Sequence, residues 1–324
     1  IMATYKDIKG TSIEVVSSDP SNPVLGQIWY NTTSQTLKGL GFQTTGAWAT
    51  GGNLSTARFY LGGAGTQTAG LAFGGRTPTS AATEEYGGTS WTSGGNLPAA
   101  NERLAGAGTQ TAGLAIGGEE GGSVTAKTSE YNGTAWTGGG NMSTAREFLA
   151  AAGTQTSGLA FGGEDPSGAV TATEEYNGSS WTSGGALPAA TQKFGGCGLQ
   201  TAALAFGGLA GGSDTAVTNE YDGSSWTGGG NLGTSRRNLS GCGTQTAALA
   251  FGGLTGPTPA ISSTEKYDGT SWTATTNMNT GRGNLAGAGT QAEGLAFGGN
   301  PSPGTAATEE FLLQGPATVT ISGS

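Results

Sequence analysis

An all-β fold built from radially arranged four-stranded sheets is predicted by three features of the sequence. Within the recurring segment, large apolar residues alternate with Gly or Ala, as in a β-strand, and no stretch shows helical periodicity. The spacing between copies is about 45 residues, which is typical of propellers and solenoids. The segment GTQTAGLAFGG recurs with small changes from Gly65, Gly108, Gly153, Gly198, Gly243 and Gly289.

Each repeat is expected to contain four short strands. In the first repeat the strands are predicted at residues 61–65, 68–73, 82–86 and 90–93, with Gly-rich turns between them. The large apolar residue before each Gly-Gly pair should be buried between neighbouring sheets, and most of the repeated tryptophans should be buried as well. These apolar residues are Phe73, Ile116, Phe161, Phe206, Phe251 and Phe297.

A strand ending in Gly-Gly, a variable loop, and then a Tyr and a Trp mark each of the first five repeats. In the first repeat they are Gly74-Gly75, Tyr86 and Trp91. Over residues 48–311 this order resembles the kelch repeat, which forms β-propeller blades. The resemblance implies an all-β, six-bladed kelch-like β-propeller with four-stranded blades. It does not specify a function, because kelch propellers include enzymes, adaptors and lectin-like modules.

The two ends of the repeat region are incomplete in complementary ways. Trp48 matches the tryptophan that ends a repeat, and the sixth repeat has Glu309-Glu310-Phe311 but no closing Trp. We therefore expect the segment around Trp48 to be the outer strand of the last blade, which would remove exposed sheet edges. The predicted organisation is an N-terminal attachment segment and linker (1–35), a propeller (36–311) and a C-terminal strand or tail (312–324).

The N-terminal segment carries the second resemblance. The phrase from Pro23 to Lys38, which contains Gly26-Gln27-Ile28-Trp29-Tyr30-Asn31, is similar to a short element in structural proteins of tailed bacteriophages, including appendages of marine and cyanobacterial phages. The resemblance implies a virion structural or appendage protein. Its partners would be other virion proteins or symmetry mates.

Both tails contain alternating apolar residues that predict short strands outside the repeats. We expect the two strands to pair or to lie adjacent, as a small apolar foot that docks onto a partner chain or a symmetry mate. An isolated pair of strands is marginally stable in water, so the foot should need that partner. The residues proposed for docking are Ile13, Val15, Val16, Val319 and Ile321.

Composition disfavours several classes of partner. The formal net charge of −9 disfavours nucleic acids and anionic membranes. The sequence has no apolar run long enough to span a bilayer, and its first residues lack the apolar region of a secretory signal. These features predict synthesis in a host cytoplasm, no membrane insertion and, with the phage resemblance, a final location in a virion.

Catalytic motifs are missing from the sequence. Without any His, no Ser-His-Asp or Cys-His arrangement can form, and neither a P-loop nor a dinucleotide fingerprint occurs. We expect no enzyme activity, no cofactor and no metal site. Cys197 and Cys242 occupy a slot that is Ala in the other repeats; they are expected to be small apolar residues, and the alternative is a disulfide between neighbouring blades.

One position of the repeat, seven residues before each Gly-Thr-Gln or Gly-Leu-Gln, offers a candidate ligand site. We call it the arginine register. It holds arginine in four repeats, whereas Asn101 and Thr191 replace it in the second and fourth. One hypothesis is a partial ring of guanidinium groups that binds an anion or a sugar. The alternative is structural pairing with the repeated Glu85, Glu130, Glu175, Glu220 and Glu310. The arginines are Arg58, Arg146, Arg236 and Arg282.

Three function classes follow from these observations. The first is a non-enzymatic virion structural or appendage protein that attaches to a host surface, with a surface glycan as a candidate ligand. The second is a carbohydrate-binding propeller that is not attached to a virion. A glycan-active enzyme is the least expected. The loops after each Gly-Gly differ in every repeat, and variation on a constant scaffold is where binding surfaces are usually built.

Overall fold

The computed structural model describes residues 13–22, 27–42, 46–256, 260–300, 304–313 and 316–320. These residues form strands and turns, with no helix among them, and hence none long and apolar enough to cross a membrane. The chain divides into two compact units, residues 1–46 with 313–324 and residues 47–312. The first boundary falls later than the predicted position after residue 35, because the strand Thr36–Phe42 belongs to the N-terminal sheet.

The larger unit contains six four-stranded sheets, one for each repeat, and the predicted strands are present with bounds shifted by one or two residues. Neighbouring strands are antiparallel in the first five sheets. In order of position within the sheet, the strands are Gly62–Gly65, Gly70–Phe73, Thr83–Tyr86 and Trp91–Ser93; Ala105–Thr109, Ala112–Ile116, Thr128–Tyr131 and Trp136–Gly138; Ala150–Thr154, Ser157–Phe161, Thr173–Tyr176 and Trp181–Ser183; Gly195–Leu199, Ala202–Phe206, Thr218–Tyr221 and Trp226–Gly228; Ser240–Thr244, Ala247–Phe251, Thr264–Tyr267 and Trp272–Thr275; and Ala286–Gly289, Glu293–Phe297, Thr308–Leu313 and Gly46–Thr50.

Three of the variable loops carry short strands of their own. They pair as small hairpins after the Gly-Gly of repeats 2, 3 and 4, and in repeat 4 a third strand joins them. These strands are Glu119–Glu120 with Ser123–Val124, Glu164–Asp165 with Gly168–Ala169, and Leu209–Ala210 with Ser213–Asp214 and Thr191–Gln192.

Small residues allow the first strands of the sheets to approach one another. The first strands of successive repeats are in contact, and the first strand of repeat 6 contacts that of repeat 1. A Cβ atom on Gly106 would lie 2.4 Å from the carbonyl oxygen of Gly63 in the preceding repeat. Larger side chains at such positions would push the strands apart, which explains the Gly and Ala content of the first strands.

Aromatic residues fill the space between the sheets. The six apolar residues predicted to be buried, Phe73 and its equivalents, are at most 1% exposed, and the prediction is confirmed. The tryptophan of one sheet packs against the phenylalanine of the preceding sheet, as in the contact of Trp226 with Phe161, whose ring centroids are 4.9 Å apart. Most of these tryptophans are buried as expected, including Trp48 at 7% exposure.

Side-chain hydrogen bonds repeat between neighbouring sheets. Each of the six tryptophans in the larger unit donates from Nε1 to a Thr hydroxyl of the preceding sheet, as Trp226 does to Thr173 at 3.0 Å. Each repeat Gln donates to two carbonyl oxygens of the preceding sheet. The first and sixth sheets are joined in the same ways, because Trp91 donates to Thr308 and Gln67 donates to the carbonyl oxygens of Gly294 and Phe311.

A third set of inter-sheet bonds links tyrosine hydroxyls to glutamates, and we call them the Tyr–Glu pairs. Each Tyr hydroxyl donates to the Glu that precedes the tyrosine of the previous repeat. Phe311 lacks a hydroxyl, and the residue in the corresponding glutamate position of repeat 5 is Lys266. The pairs are Tyr131–Glu85, Tyr176–Glu130, Tyr221–Glu175, Tyr267–Glu220 and Tyr86–Glu310.

The smaller unit contains one four-stranded sheet, in the order Glu14–Val16, Ile28–Asn31, Thr36–Phe42 and Pro316–Thr320. Asp19 supports this sheet by accepting hydrogen bonds from Lys38, Asn31 and Trp29, which lower the pKa of its carboxyl to about 2. The expectation that the two tail strands pair or lie adjacent is wrong. They form opposite edges of the sheet, because the hairpin of the other two strands lies between them.

Candidate functional site

The four register arginines face the protein interior. Their side chains are at most 1% exposed, and burial lowers their pKa, an effect that the paired glutamates oppose. Arg146, for example, donates to the carbonyl oxygen of Gly162 at 2.9 Å and to Glu174 at 2.8 Å. Arg58, Arg236 and Arg282 make the same contacts with Glu84, Glu265 and Glu309. This placement leaves none of these four guanidinium groups exposed to a ligand, and four structural ion pairs take the place of the expected partial ring.

The partner of each arginine differs from the glutamate proposed for it. It is the residue one position earlier, while the proposed glutamates take part in the Tyr–Glu pairs; in repeat 5 the later position holds Lys266. The sequence contains a signal for the correct partner: the two repeats without the arginine have Ser129 and Asn219 in that earlier position. In repeat 2, Asn101 donates to the carbonyl oxygen of Gly117 at 2.9 Å. In repeat 4, a cavity of about 60 Å³ lies beside Thr191 and Asn219.

The proposed docking residues differ in exposure where the structure describes their side chains. Ile13 is 41% and Val15 is 67% exposed, whereas Val16 is partly buried. The backbone of Val319 pairs with Gly39, and Ile321 lies outside the described residues. The apolar edge expected at the N-terminal tail is therefore present at Ile13 and Val15.

A ring of backbone hydrogen bonds lies two residues after the arginine register. We call its six members the rim residues. Each has a positive φ between 50° and 60°, and its N–H donates to the carbonyl oxygen of the rim residue one repeat earlier. The series is closed, since the N–H of Tyr60 donates to the backbone carbonyl oxygen of Asn284 at 2.9 Å. The rim residues are Tyr60, Arg103, Phe148, Lys193, Asn238 and Asn284.

The rim residues surround a cup of about 80 Å³ that is open to solvent. The floor of the cup is apolar and consists of Phe194 and five leucines, the residues that follow the rim residues in sequence. Because the backbone groups of the rim bond to one another, contacts with a ligand would come from rim side chains. These side chains differ from repeat to repeat, unlike those of the surrounding core.

One side of the cup is aromatic and internally charge-balanced. The guanidinium of Arg103 lies 4.9 Å from the ring centroid of Phe148 and 5.6 Å from that of Tyr60. It also forms ion pairs with Glu119 and, at 3.0 Å, with Glu147. Burial raises the pKa of the Tyr60 hydroxyl. The charges on this side are therefore already paired within the protein.

The other side of the cup has polar groups without protein partners. The ammonium of Lys193 lies 4.5 Å from the ring centroid of Phe148, and no hydrogen bond or ion pair joins it to another residue in the described ranges. Asn284 is only 7% exposed, and its Oδ1 accepts no hydrogen bond from the described residues. The Asn284 oxygen is itself inaccessible to solvent, so the polar group that this side of the cup offers to a ligand is the Lys193 ammonium.

The variable loops lie at the same end of the sheets as the rim. The residue before each rim residue forms a β-bridge with the residue that follows Gly-Gly, as in Phe59 with Arg76 and Glu102 with Glu119. Near Lys193, the Arg237 side chain pairs with Asp214, which also accepts the N–H of Gly256 at 2.7 Å. The variable loops and the rim residues therefore lie at the same end of the sheets.

Sequence analysis did not select the rim residues. The only signal in the sequence was variation, because five residue types occupy this one position in six repeats; the preceding position varies as much, and the following position is Leu in five repeats. The left-handed backbone that places these residues around one cup could not be inferred, since Tyr, Arg and Phe are unusual in that conformation.

The cysteines and acidic residues do not form a further site among the described residues. Cys197 and Cys242 are buried free thiols, so the disulfide alternative is wrong. Burial raises the pKa of the Cys197 thiol to about 12, which disfavours the reactive thiolate. Within the described ranges, no group of three or more Cys, Asp or Glu side chains could hold a metal ion.

The fold and the rim define a class: an all-β repeat protein with a non-periodic polar cup at one end of its sheets. No protein-family model matches the chain, and no curated protein matches it. Its function must therefore be inferred from the chemistry of the cup and of the exposed edge.

Proposed function

We propose that the larger unit is a six-bladed kelch-like β-propeller, closed by the strand Gly46–Thr50 in the sixth blade. The cyclic contacts of the first strands and the closed ring of rim hydrogen bonds support this proposal. So do the bonds between the first and sixth sheets, which are of the same kinds as those between successive sheets. Closure would leave no long sheet edge open to pairing with another chain.

On this scaffold the chain acts as a non-enzymatic binding protein. The end of the sheets that carries the rim residues, which we call the rim face, binds a surface glycan. One observation carries the proposal: the six rim residues, whose side chains depart from the repeat, surround one solvent-open cup. Sugars are recognised through hydroxyl groups, which need both donors and acceptors. Among the residues that line the cup, Lys193 supplies donors, the Asn238 amide can donate and accept, and Tyr60 supplies a hydroxyl that can do either.

An enzymatic role is less well supported by the chemistry of the cup. The chain has no His to serve as a general base. Glycoside hydrolysis would need two carboxyl groups free to exchange protons. Glu119 and Glu147, the acidic residues beside Arg103, are both held in ion pairs by its guanidinium.

We further propose that the smaller unit attaches the chain to a virion, with the rim face binding the host surface. The exposed Val15 on the edge strand and Ile13 just before it, together with the phage-like sequence of residues 23–38, support this role. The alternative is a carbohydrate-binding module that acts without a virion. It is favoured by the cup, which needs residues of one chain only.

Glycan binding is tested with an array of surface glycans and a rim variant. Tyr60→Asn with Lys193→Asn should lose the glycans bound by the unchanged protein, since both residues line the cup. Asn suits the left-handed backbone at both positions, as it does at Asn238 and Asn284. The matched control, Thr68→Asn with Thr111→Asn, changes exposed turns at the other end of the sheets and should bind normally. An array without any bound glycan would contradict the proposed function.

Attachment is tested in the cells that make the protein. A chain without residues 2–22 lacks the edge strand Glu14–Val16, and we expect it to fold but to sediment apart from virus particles. Ile13→Asp with Val15→Asp should have the same effect, because charged groups at the edge oppose apolar docking. Leu199→Asp is the control, as Leu199 is similarly exposed in the larger unit. Truncated chains that sediment with particles would rule out this mode of attachment.

A further inference from the structure

We infer that the fourth repeat contains a pocket for a small neutral molecule that carries a primary carboxamide on a short apolar body. The pocket is the cavity of about 60 Å³ beside Thr191 and Asn219. It differs from the cup, although Phe194 borders both, and the inference does not depend on glycan binding. Its position in the repeat, its unpartnered polar groups, its neutral lining and its size carry the inference.

The cavity lies where the arginine side chain lies in the third repeat. The residues that bond to the Arg146 side chain there are Met142, Gly162, Ala172 and Glu174. Their equivalents in the fourth repeat all line the cavity, and they are Leu187, Gly207, Val217 and Asn219. Thr191 is too short to fill the place of the arginine, and its hydroxyl donates to the carbonyl oxygen of Ala189 at 3.1 Å.

The partners of the ion pair are replaced together in this repeat. In the third repeat the N–H of Ser143 donates to Glu174 at 2.7 Å. The equivalent residue in the fourth repeat is Pro188, which has no N–H, and the glutamate is replaced by Asn219. Three positions therefore change consistently, and the place of the guanidinium group is left open.

Two polar groups beside the cavity have no partner among the described residues. In the other five repeats, the carbonyl oxygen at the position of Gly207 accepts a hydrogen bond from a side chain. No described residue donates to the carbonyl oxygen of the buried Gly207, and none bonds to the Asn219 side chain. A buried carbonyl oxygen without a donor is costly, which favours a ligand that offers an N–H group.

The donor that suits this cavity is neutral. Among the described residues that line it, none is charged. Enclosing a charged ligand group without a partner of opposite charge is unfavourable. The second repeat shows a neutral donor in the same position, because the carboxamide of Asn101 donates to the carbonyl oxygen of Gly117 at 2.9 Å.

A planar group can reach both polar groups at once. In the third repeat, one guanidinium group donates both to Gly162 and to Glu174. A carboxamide is planar as well, and it both donates and accepts hydrogen bonds, as the Asn219 side chain does. Its N–H group would therefore bond to Gly207 while the rest of the amide pairs with Asn219.

Size and lining limit the body of the ligand. One water molecule needs about 10 to 15 Å³ of such a cavity, so about 60 Å³ admits roughly four to six non-hydrogen atoms. The lining is mostly apolar and includes Leu187, Phe206 and Val217. Because Pro188 and Val217 are exposed to solvent, a ligand can enter beside them.

The test uses four compounds of the same shape: isobutyramide, methyl isopropyl ketone, isobutyrate and isobutyramidinium. The ketone lacks the N–H donor, and the last two carry opposite charges. Their shared isopropyl methyl signal reports binding to the full chain by NMR, in about 0.15 M salt to screen the net charge. We expect isobutyramide to bind with a Kd on the order of 1 to 10 mM, and the other three to bind about ten-fold or more weakly.

Variants locate the site. Thr191→Asn with Asn219→Ser copies the residues of the second repeat, which also has a proline, Pro98, at the position of Pro188. This double variant supplies its own amide donor and should bind isobutyramide about ten-fold or more weakly than the unchanged chain. The control is Thr201→Asn, which changes an exposed turn at the other end of the same repeat and should bind normally. Equal melting temperatures exclude unfolding as the cause.

Four outcomes would overturn the inference. Equal binding of the ketone would show that no N–H donor is required. Equal or tighter binding of isobutyramidinium would show that the cavity accepts a cation. Isobutyramide binding that persists in the double variant would place the site elsewhere. Binding of none of the four compounds would leave the cavity as a site for water molecules only.

Discussion

Arg146→Thr is expected to lower the free energy of unfolding by about 3 to 5 kcal/mol, the cost of leaving one member of a buried ion pair without its partner. Arg146 and Glu174 are both nearly inaccessible to solvent, and their charged atoms are 2.8 Å apart. The substitution also removes the donors to the carbonyl oxygens of Gly162 and Ala172. Denaturant unfolding measured by tryptophan fluorescence gives the difference.

The chain itself supplies the control for this experiment. Repeat 4 has Thr191 and Asn219 in the positions of Arg146 and Glu174. The double variant Arg146→Thr with Glu174→Asn copies that pair into repeat 3 and removes the buried charge along with its partner. We expect the double variant to be clearly more stable than Arg146→Thr alone. If the two variants unfold at the same denaturant concentration, the ion pair is not the source of the stability.

Alkaline pH is expected to unfold the protein steeply between about pH 10 and pH 12. Burial, with the hydrogen bond to glutamate, raises the pKa of five tyrosines to about 12 from an ordinary 10.0; they are Tyr86, Tyr131, Tyr176, Tyr221 and Tyr267. At pH 11 the folded chain therefore holds more protons than the unfolded chain, so stability falls as pH rises. The contribution is fully present below pH 10 and is lost through pH 12.

Thermal unfolding across this pH range, with tyrosinate absorbance recorded in parallel, measures the effect. Ionisation of the five tyrosines should coincide with unfolding. Tyr131→Phe with Glu85→Lys copies the chain's own Phe311 and Lys266, and it should make the loss of stability less steep because one titrating group is gone. Ionisation of all five tyrosines near pH 10 in a protein that stays folded would be incompatible with the buried Tyr–Glu pairs.

The repeating part of the fold could be predicted because the same local signals occur six times. Alternation of Gly or Ala with large apolar residues located the strands, and the spacing of Phe73 and its equivalents identified the core. Pairing between side chains was harder, because Glu84 and Glu85 look alike in a sequence. The two positions are distinguished only where both members of a pair are replaced together. Asn219 occurs with Thr191 in place of an Arg–Glu ion pair, and Lys266 occurs with Phe311 in place of a Tyr–Glu pair.

The candidate site could not be predicted from local patterns. Six residues that are more than forty positions apart in sequence come together only because the sheets are arranged around one opening. Their side chains have no shared chemistry that would identify them as a group. The N-terminal boundary failed for a similar reason, since Thr36–Phe42 is a strand whose partners include residues near the other end of the chain.

The backbone hydrogen bonds that join the rim residues stabilise the rim, whereas the rim side chains determine which ligand it can bind. These bonds use only N–H and C=O groups, so they form whichever side chain is present, as Tyr60, Lys193 and Asn238 already illustrate. A lineage carrying this fold could exchange one rim side chain at a time, and acquire a new ligand, without disturbing the core. The remaining constraint is conformational, because the left-handed backbone admits Asn and Gly most readily. The rim is thus a natural position from which to select binders with altered specificity.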